Sequence, residues 1–299
     1  MSKSYGLPYK GSKNSIAEWV VEHLHSRENF YDVFCGGCAI THRALLTDKF
    51  QHIYINDIDT QVVDMFIKAI NGEYVEEYKR WISREDFFKL KDIDPIVKYC
   101  WSFGNKGVTY VFGKDREDMK YALYMAVVYD DFFNLNTFVD IDKYDFQNTT
   151  DVYDKLRQIS KYIKVKYPDK AKFFNTIEPM LRTKRVHSIE QLKSRSHLIE
   201  YSNKDYSDIT IKPNSIIYCD IPYKGTDTYN KIPFDYERFY KWCENQTELV
   251  VISEYSMPED RFECIDTLSK TVKLSKDSNS IHKDEKLFIP KHQKELIKL

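Results

Sequence analysis

Glycine and proline are scarce in this chain of 299 residues, which contains nine of each. Any place where glycines cluster therefore stands out as a backbone position with a special requirement. Apolar residues make up 42% of the sequence and charged residues 30%, a composition that excludes a largely disordered chain. The length allows one large domain or two of moderate size.

An excess of charge of either sign is also absent, because 45 lysines and arginines oppose 46 aspartates and glutamates. This balance excludes a global basic field, although it leaves room for local basic patches. Stretches without a charged residue, such as 33–42, reach only about ten residues, whereas a membrane helix needs about 20. We therefore expect no transmembrane helix and no membrane partner.

Cysteines are too few, at six, to form a disulfide scaffold in a chain of this length. The first eleven residues lack the apolar segment of a secretion signal. Together these absences predict a cytoplasmic protein. Cys35 and Cys38 have the spacing of a redox or zinc motif, but no second such pair and no suitably spaced histidines accompany them, so we predict no metal site.

Helix and strand patterns alternate over the first 70 residues. Apolar positions within 16–24 predict a helix, with Asn14 and Ser15 as candidate N-caps. Buried strands are predicted at 30–34 and 52–56, each followed by a helix. Two strand–helix units in succession predict a parallel sheet of the α/β class with right-handed crossovers.

Residues 72–195 differ in composition from the first 70 residues and contain long, charged, tyrosine-rich segments with a helical pattern. Their last part, 182–195, contains five basic residues and one acidic residue. Strand-like runs resume at 197–201, 215–219 and 248–253. We therefore predict one α/β domain, residues 1–70 and 196–299, interrupted by an inserted domain, residues 71–195.

A glycine turn follows the first predicted strand at Cys35-Gly36-Gly37-Cys38. Small residues at such a junction let a ligand approach the free N–H groups of the helix N-terminus. Asp57, at the end of the next strand, is placed to accept hydrogen bonds from two ribose hydroxyls. The glycine pattern typical of nicotinamide dinucleotide sites is absent. A nucleoside site and a tight turn with an incidental carboxylate both stay open at this point.

A second candidate site follows the apolar run 216–219, as Asp220-Ile221-Pro222-Tyr223. Ligands of open α/β sheets bind beyond the carboxyl ends of the strands, so these residues should face the same crevice as Gly36. A carboxylate and a backbone carbonyl that accept both N–H hydrogens of an aromatic amino group favour a nitrogen with its lone pair free. Pro222 would fix the turn, and Tyr223 can stack on a base. A strand end with a capping aspartate is the alternative.

Five motifs, in order along the chain, resemble those of Dam-like DNA adenine N6-methyltransferases: residues 9–13, 34–37, 56–59, 203–206 and 220–223. The segments 234–239, 252–255 and 285–288 look like later motifs of the same family. Each motif alone is weak, but five in this order are specific. The resemblance implies an S-adenosylmethionine-dependent enzyme with a seven-stranded Rossmann-like sheet. It also implies an inserted, mainly helical target-recognition domain that carries a β-hairpin.

The resemblance also implies roles for individual residues. Cofactor-binding residues would be Tyr9, Lys10, Gly11, Lys13, Phe34, Cys35, Gly36, Asp57, Ile58, Asp205, Tyr206 and Asp220. Asp57 would hold the ribose, and Asp205 with Tyr206 the adenine of the cofactor. Asp220, Ile221, Pro222 and Tyr223 would form the catalytic motif and bind the target base. Ile221 stands where the family usually has proline, and Cys38 where a second glycine is usual.

Residues 101–114 are similar to the hairpin that Dam-like enzymes place against DNA, and a glycine-rich tip between β-formers is itself a hairpin signal. The DNA-contact candidates are Asn105, Lys106 and Tyr110, with Lys184 and Arg185 in the basic segment. Charged helix faces and solvated hairpins are the ordinary alternatives.

The sequence therefore predicts a restriction–modification type enzyme, encoded by a bacterium or phage. It would be a monomer or weak dimer that methylates N6 of adenine in double-stranded DNA after base flipping. A catalytically inactive DNA-binding relative is one alternative, and a methyltransferase for cytosine N4 or an RNA base is another. A nucleotide-dependent oxidoreductase lacks both the glycine fingerprint and a redox centre.

Overall fold

The computed structural model describes residues 4–142, 146, 149–224, 234–272 and 281–298. The chain divides into two compact units. The first comprises Met1–Leu7, Gly11–Asn71 and Ile189–Leu299, and the second comprises Pro8–Lys10 and Gly72–Ser188. The predicted insert, residues 71–195, overlaps most of the second unit. Its last residues, from Ile189, lie in the first unit, where Ile189 and Leu192 are buried.

The first unit is built on a seven-stranded sheet. Its strands are β1 Asn29–Asp32, β2 His52–Asn56, β3 Ile199–Ser202, β4 Ser215–Cys219, β5 Leu249–Glu254, β6 Phe262–Val272 and β7 Ile281–Pro290. Their order is β3-β2-β1-β4-β5-β7-β6, in which the first five are parallel and β7 is antiparallel to β5 and β6. This topology confirms the predicted α/β class and the seven strands.

Nine α-helices are found among the described residues. They are α1 Ala17–His23, α2 Ala39–Leu45, α3 Thr60–Ile70, α4 Arg84–Leu90, α5 Pro95–Cys100, α6 Glu117–Tyr129, α7 Val152–Lys166, α8 Glu178–His187 and α9 Tyr236–Glu244. The first three and α9 belong to the sheet unit, and α4–α8 form the second unit. Aspartates cap several of them: the Asp59 side chain accepts the Gln61 N–H at 3.2 Å and so starts α3.

Burial follows the position of each strand in the sheet. Every residue of β1, β4 and β5 is buried, as expected for central strands covered on both faces. The edge strand β3 has no buried residue. Parallel pairing of β1, β2, β4 and β5 brings their carboxyl ends to one edge of the sheet.

The predicted N-caps of the first helix are wrong. Lys13–Ser15 form a short 3-10 turn, and α1 begins at Ala17. The Asn14 side chain instead accepts the backbone N–H of Tyr5 at 2.6 Å. A tertiary contact with the N-terminal segment therefore uses the side chain that the sequence pattern assigned to a cap.

Neither a membrane-spanning helix nor a metal site is found in the described part of the chain. None of its helices is long and apolar enough to cross a bilayer. No group of three or more His, Cys, Asp or Glu side chains is arranged to hold a metal ion there.

Candidate active site

The carboxyl edge of the sheet collects the acidic residues that end or follow its strands. Asp32 ends β1, Asp57 follows β2, Asp220 follows β4 and Glu254 ends β5. Since β4 pairs with β1 and β5, the groups beyond its end face those beyond its neighbours. All of them belong to the first unit.

The Asp57 carboxylate hydrogen-bonds to the glycine turn. Its Oδ2 accepts the Gly36 N–H at 2.8 Å, and its Oδ1 accepts the Asp59 N–H at 2.9 Å. Burial raises the pKa of Asp57, and the N–H donors of Asp59 and Gly36 oppose that rise. Each oxygen of a carboxylate has two lone pairs, so both can accept a further hydrogen bond.

The turn requires unusual backbone conformations. Gly36 has a φ of 45°, and Cys38, where the family usually has a glycine, adopts the left-handed region at 54°. Gly6 packs against this turn at a φ of 68°, and an added Cβ there would lie 2.6 Å from Ala39 N. Gly6 was not predicted to take part in the site, although it is one of only nine glycines in the chain.

Asp32 is a second residue that the sequence analysis missed. Its Oδ2 accepts the Thr41 hydroxyl at 2.6 Å and the Thr41 N–H at 3.2 Å, which ties β1 to the first turn of α2. Its Oδ1 is buried without a hydrogen-bond partner among the described residues. Burial raises the pKa of Asp32 to about 7. An acidic residue inside an otherwise apolar strand was the signal for it.

Asp220 lies in a network of charged and aromatic groups. The Lys13 Nζ is 2.8 Å from Asp220 Oδ1 and 3.3 Å from Glu285 Oε1. The Tyr223 hydroxyl donates to the same Glu285 oxygen at 2.5 Å. Burial raises the pKa of Asp220 to about 6, against the opposing effect of Lys13. Lys13, predicted to line the cofactor, is thus brought to the catalytic motif.

Glu285 and Glu254 support the catalytic motif and were not predicted as site residues. Glu285 lies on β7 and is buried. Glu254 is also buried, and its Oε2 accepts the Lys224 N–H at 3.2 Å, which anchors the loop just after Tyr223. Burial raises the pKa of Glu254 to about 7. Both lie in segments that resemble later motifs of the family, 252–255 and 285–288, but their partners, Lys224 and Lys13, are distant along the chain.

The backbone carbonyls of Ile221 and Pro222 differ in their hydrogen-bond partners. The Pro222 carbonyl accepts the Tyr236 hydroxyl at 2.9 Å. No hydrogen bond to the Ile221 carbonyl is found within the described residues. The Ile221 side chain is buried, and the Tyr223 ring packs edge-on against Tyr255 at 4.6 Å between centroids. An acceptor without a donor among the described residues therefore follows the Asp220 carboxylate in the chain.

An aromatic cluster lies beside the glycine turn. The Phe34 ring contacts Tyr206, Phe234 and Phe239 at centroid distances of 5.5, 5.9 and 5.8 Å. The buried Tyr206 hydroxyl has no hydrogen-bond partner among the described residues. Such an orphaned polar atom is the kind that a bound ligand satisfies.

Asp205 is held by Arg238, a residue absent from the predicted site. The guanidinium of Arg238 contacts both Asp205 oxygens, at 2.8 and 3.1 Å. Although burial alone would raise the pKa of Asp205, hydrogen bonds from Ser207 and Arg238 lower it. The Arg238 guanidinium also lies 5.2 Å from the centroid of the Tyr206 ring.

The remaining predicted cofactor residues differ in burial and in the unit to which they belong. Ile58 is exposed, and the thiol of Cys35 is buried, which raises its pKa well above the usual range. Gly11 belongs to the first unit at a φ of 74°. Tyr9 and Lys10 belong to the second unit, where the Tyr9 ring contacts Tyr99 at 5.4 Å.

The predicted hairpin is a loop closed by a single antiparallel bridge, Ser102 to Tyr110, instead of two paired strands. Tyr110, predicted to contact DNA, is buried, and its hydroxyl donates to the Ile82 carbonyl at 2.7 Å. It is a core residue, and the DNA contact assigned to it stays a prediction. The Asn105 amide donates to the Tyr99 carbonyl at 2.7 Å, whereas Lys106 is exposed.

The predicted basic segment is largely engaged within the protein. The Arg182 guanidinium donates to the carbonyls of Cys100 and Ser102, each at 2.8 Å, and so supports the loop at its base. Arg185 is half-buried, and burial lowers its pKa to about 10. Lys184 is exposed, with its Nζ 3.8 Å from the centroid of the Tyr153 ring.

Comparison with known proteins supports the resemblance. The family model described as D12 class N6 adenine-specific DNA methyltransferase matches residues 9–286. The type II methyltransferase M.CviAII of Paramecium bursaria Chlorella virus 1 is 23% identical over 236 residues, which cover 73% of this chain and 64% of that protein. The chain thus spans less than two thirds of the length of this relative. The family match includes the glycine turn, Asp57 and the motif at Asp220, and the chain belongs to the D12 class N6 adenine-specific DNA methyltransferase family.

Proposed function

We propose that this protein transfers a methyl group from S-adenosylmethionine to the N6 amino group of adenine in double-stranded DNA. The observation that carries the proposal is the pair of acceptors at the end of β4, the Asp220 carboxylate and the Ile221 carbonyl, which accepts no hydrogen bond from the described residues. They lie at the same sheet edge as the Asp57 turn, in a chain of the adenine-specific family.

The residues around the glycine turn fit the cofactor. Asp57 retains acceptor capacity for two ribose hydroxyls beyond its two backbone donors. The orphaned Tyr206 hydroxyl and the adjacent Phe34 ring suit a purine. S-adenosylmethionine, when bound, supplies a methyl group on a positively charged sulfur. The protein's part is to align the acceptor nitrogen with that group.

At the catalytic motif, two acceptors receive the two N–H donors of the target amino group. The Asp220 carboxylate takes one and the Ile221 carbonyl takes the other, which favours a nitrogen with its lone pair directed at the methyl group. Lys13 contacts Oδ1 of Asp220 and Glu285 Oε1, so Oδ2 of Asp220, which has no donor among the described residues, can accept the N–H of the base. The Tyr223 ring, fixed by Glu285, stacks on the base.

Adenine in a duplex hides its amino group within pairing and stacking, so the target base must be flipped out of the helix. We assign recognition of the surrounding sequence to the second unit. Its loop at 102–110 exposes Lys106 and two apolar side chains, Phe103 and Val108, at 67% and 63% of their surface. Exposed groups of this kind contact base edges and sugars. The type II relative makes a restriction–modification setting the expected one.

Activity is tested by incubating the full-length protein with S-adenosylmethionine and mixed-sequence duplex DNA, followed by digestion and nucleoside analysis. N6-methyladenine is expected. N4-methylcytosine would contradict the target atom, and the absence of any methylated nucleoside together with DNA binding would indicate an inactive relative. Sequencing that detects methylated adenines in the DNA of expressing cells would then identify the recognition site.

The pH profile tests the role of Asp220. Its carboxylate must be ionised to accept an N–H donor, so kcat/KM for DNA should fall as the pH drops below about 6, the pKa of Asp220 in the free enzyme. Replacing Lys13 with methionine removes the positive charge that lowers this pKa, and the acidic limb should move to higher pH. An acidic limb that stays in place in Lys13→Met would contradict the assignment.

A further inference from the structure

A line of exposed basic residues on the second unit has no role in the proposed chemistry. We call it the basic stripe: Arg157, Lys161 and Lys164 of α7 with Lys184 of α8. The three α7 positions are separated by three or four residues, so they share one face of that helix. The buried positions Leu156, Ile159 and Ile163 lie on the opposite face. The stripe is therefore the outer face of an amphipathic helix.

Lys184 extends the stripe from the neighbouring helix. Its Nζ lies 3.8 Å from the centroid of the Tyr153 ring. Tyr153 precedes Arg157 by four residues on the same face of α7, and its hydroxyl donates to the Met180 carbonyl of α8 at 3.4 Å. From Tyr153 to Lys164 the stripe runs about 16 Å along the helix axis.

The charges of the stripe are mostly not neutralised by the protein. Arg157 pairs with Asp154. Lys161, Lys164 and Lys184 have no carboxylate partner among the described residues. Other lysines of the chain do pair within their own helix or turn: Lys68 with Asp64, Lys79 with Glu76, and Lys89 with Glu85.

Ordinary helix energetics do not account for this arrangement. Like charges three or four residues apart repel and destabilise a helix. The helix dipole favours cations in the last turn, which covers Lys164 and Lys184. It does not favour Arg157 and Lys161 in the middle of α7. A row of cations on a fixed face, three of them without a carboxylate partner among the described residues, is complementary to a row of anions.

We propose that the basic stripe binds the sugar–phosphate backbone of duplex DNA, a step that rests on the proposed function for its partner. One strand presents a phosphate every 3.4 Å of helix axis while it winds around that axis, so a stripe of about 16 Å spans several phosphates of the backbone. Long, flexible basic side chains contact phosphates without reading bases. The stripe therefore adds affinity for DNA of any sequence and makes that affinity depend on salt.

The experiment compares the wild type with Lys161→Gln/Lys164→Gln/Lys184→Gln in the full-length protein. Binding of a fluorescent, mixed-sequence 20-bp duplex is followed by anisotropy at a series of NaCl concentrations. Each lost phosphate contact reduces the slope of log K against log [NaCl] by about 0.9, so the slope should become less steep by about 2 to 3. An unchanged slope overturns the proposal.

A matched control removes three other positive charges, in Lys68→Gln/Lys79→Gln/Lys89→Gln, and should keep the wild-type slope. If the slope became less steep by the same amount in both triple variants, net charge alone would explain the effect, and the proposal would also be overturned. Calorimetric titration with S-adenosylmethionine, giving the same Kd in all three proteins, shows that the sheet unit is folded.

The results distinguish a failure of the DNA-binding proposal for the stripe from a failure of the proposed methylation activity. A wild-type protein that binds DNA through the stripe but methylates no adenine contradicts the proposed function alone. A wild-type protein that methylates adenine, with an unchanged slope in the stripe variant, contradicts the stripe alone. Loss of binding to anionic lipid vesicles, with DNA binding unchanged, would assign the stripe to a membrane surface and overturn the DNA assignment.

Discussion

Replacing Asp220 with alanine is expected to lower kcat on duplex DNA by about 10³-fold or more, while binding of S-adenosylmethionine largely survives. The variant loses the carboxylate that accepts one N–H of the target amino group. The Ile221 carbonyl alone then cannot hold the nitrogen in the reactive geometry. Single-turnover methylation kinetics and calorimetric titration with the cofactor separate the two effects.

The fold should tolerate this substitution. Lys13, which lies 2.8 Å from Asp220, retains a counter-ion because Glu285 is 3.3 Å away. Loss of a buried carboxylate whose pKa burial raises to about 6 also relieves a desolvation cost. Asp220→Asn, which keeps the size of the side chain, serves as the second variant. Asp260→Ala changes an exposed aspartate of the same unit and should keep full activity. Substantial activity in Asp220→Ala would refute the mechanism.

Replacing Asp57 with alanine should instead raise the Kd of S-adenosylmethionine. Two hydrogen bonds from ribose hydroxyls to a carboxylate are lost, which together contribute at least about 3 kcal/mol. This corresponds to about 10²-fold in Kd. The Gly36 and Asp59 N–H groups also lose their acceptor, so the glycine turn should loosen and the Tm should fall.

Asp59→Ala is the matched control for this prediction. It removes a carboxylate two residues away whose side chain caps α3, which should cost about 1 kcal/mol of stability. Cofactor affinity should stay close to that of the wild type. If Asp57→Ala and Asp59→Ala weaken cofactor binding equally, Asp57 acts through the stability of the turn and does not hold the ribose. Titration of both variants with S-adenosylmethionine, beside their thermal melts, distinguishes these outcomes.

The parallel part of the sheet was predictable because its strands are continuous apolar runs. The run predicted at 215–219 is β4 to the residue, since Asn214 and Asp220 bound a segment that is buried throughout. The antiparallel pair β6 and β7 was not predicted. Charged residues interrupt the apolar positions of β6 and fill much of the first half of β7, which leaves only the short apolar run 287–289. Neither strand therefore shows an apolar run or regular alternation over its whole length.

The site likewise combines residues that a local sequence pattern predicts with residues that only tertiary contacts bring together. Asp57 and Asp220 follow apolar strands, and strand order alone brings such positions to one edge of a sheet. Glu285 belongs to the segment 285–288, which resembles a later motif of the family, but its contact with the site comes from β7, 65 residues beyond Asp220 in the chain. Tyr110 illustrates the same dependence on packing. It was a DNA-contact candidate in the β-forming flank of the predicted hairpin, whereas packing buries its ring and its hydroxyl donates to the Ile82 carbonyl.

The sequence by itself determined the α/β class, the order of the motifs, and the two carboxylates placed for the cofactor and the target base. These depend on periodicity and on strand ends, which are local properties of the chain. Only the tertiary structure decided that Lys13 pairs with Asp220 and that Glu285 and Glu254 support the catalytic motif. It also decided which basic residues of α7 and α8 have no carboxylate partner among the described residues. Those features depend on which distant segments pack together, because burial, charge pairing and orphaned polar atoms are properties of contacts and not of sequence spacing.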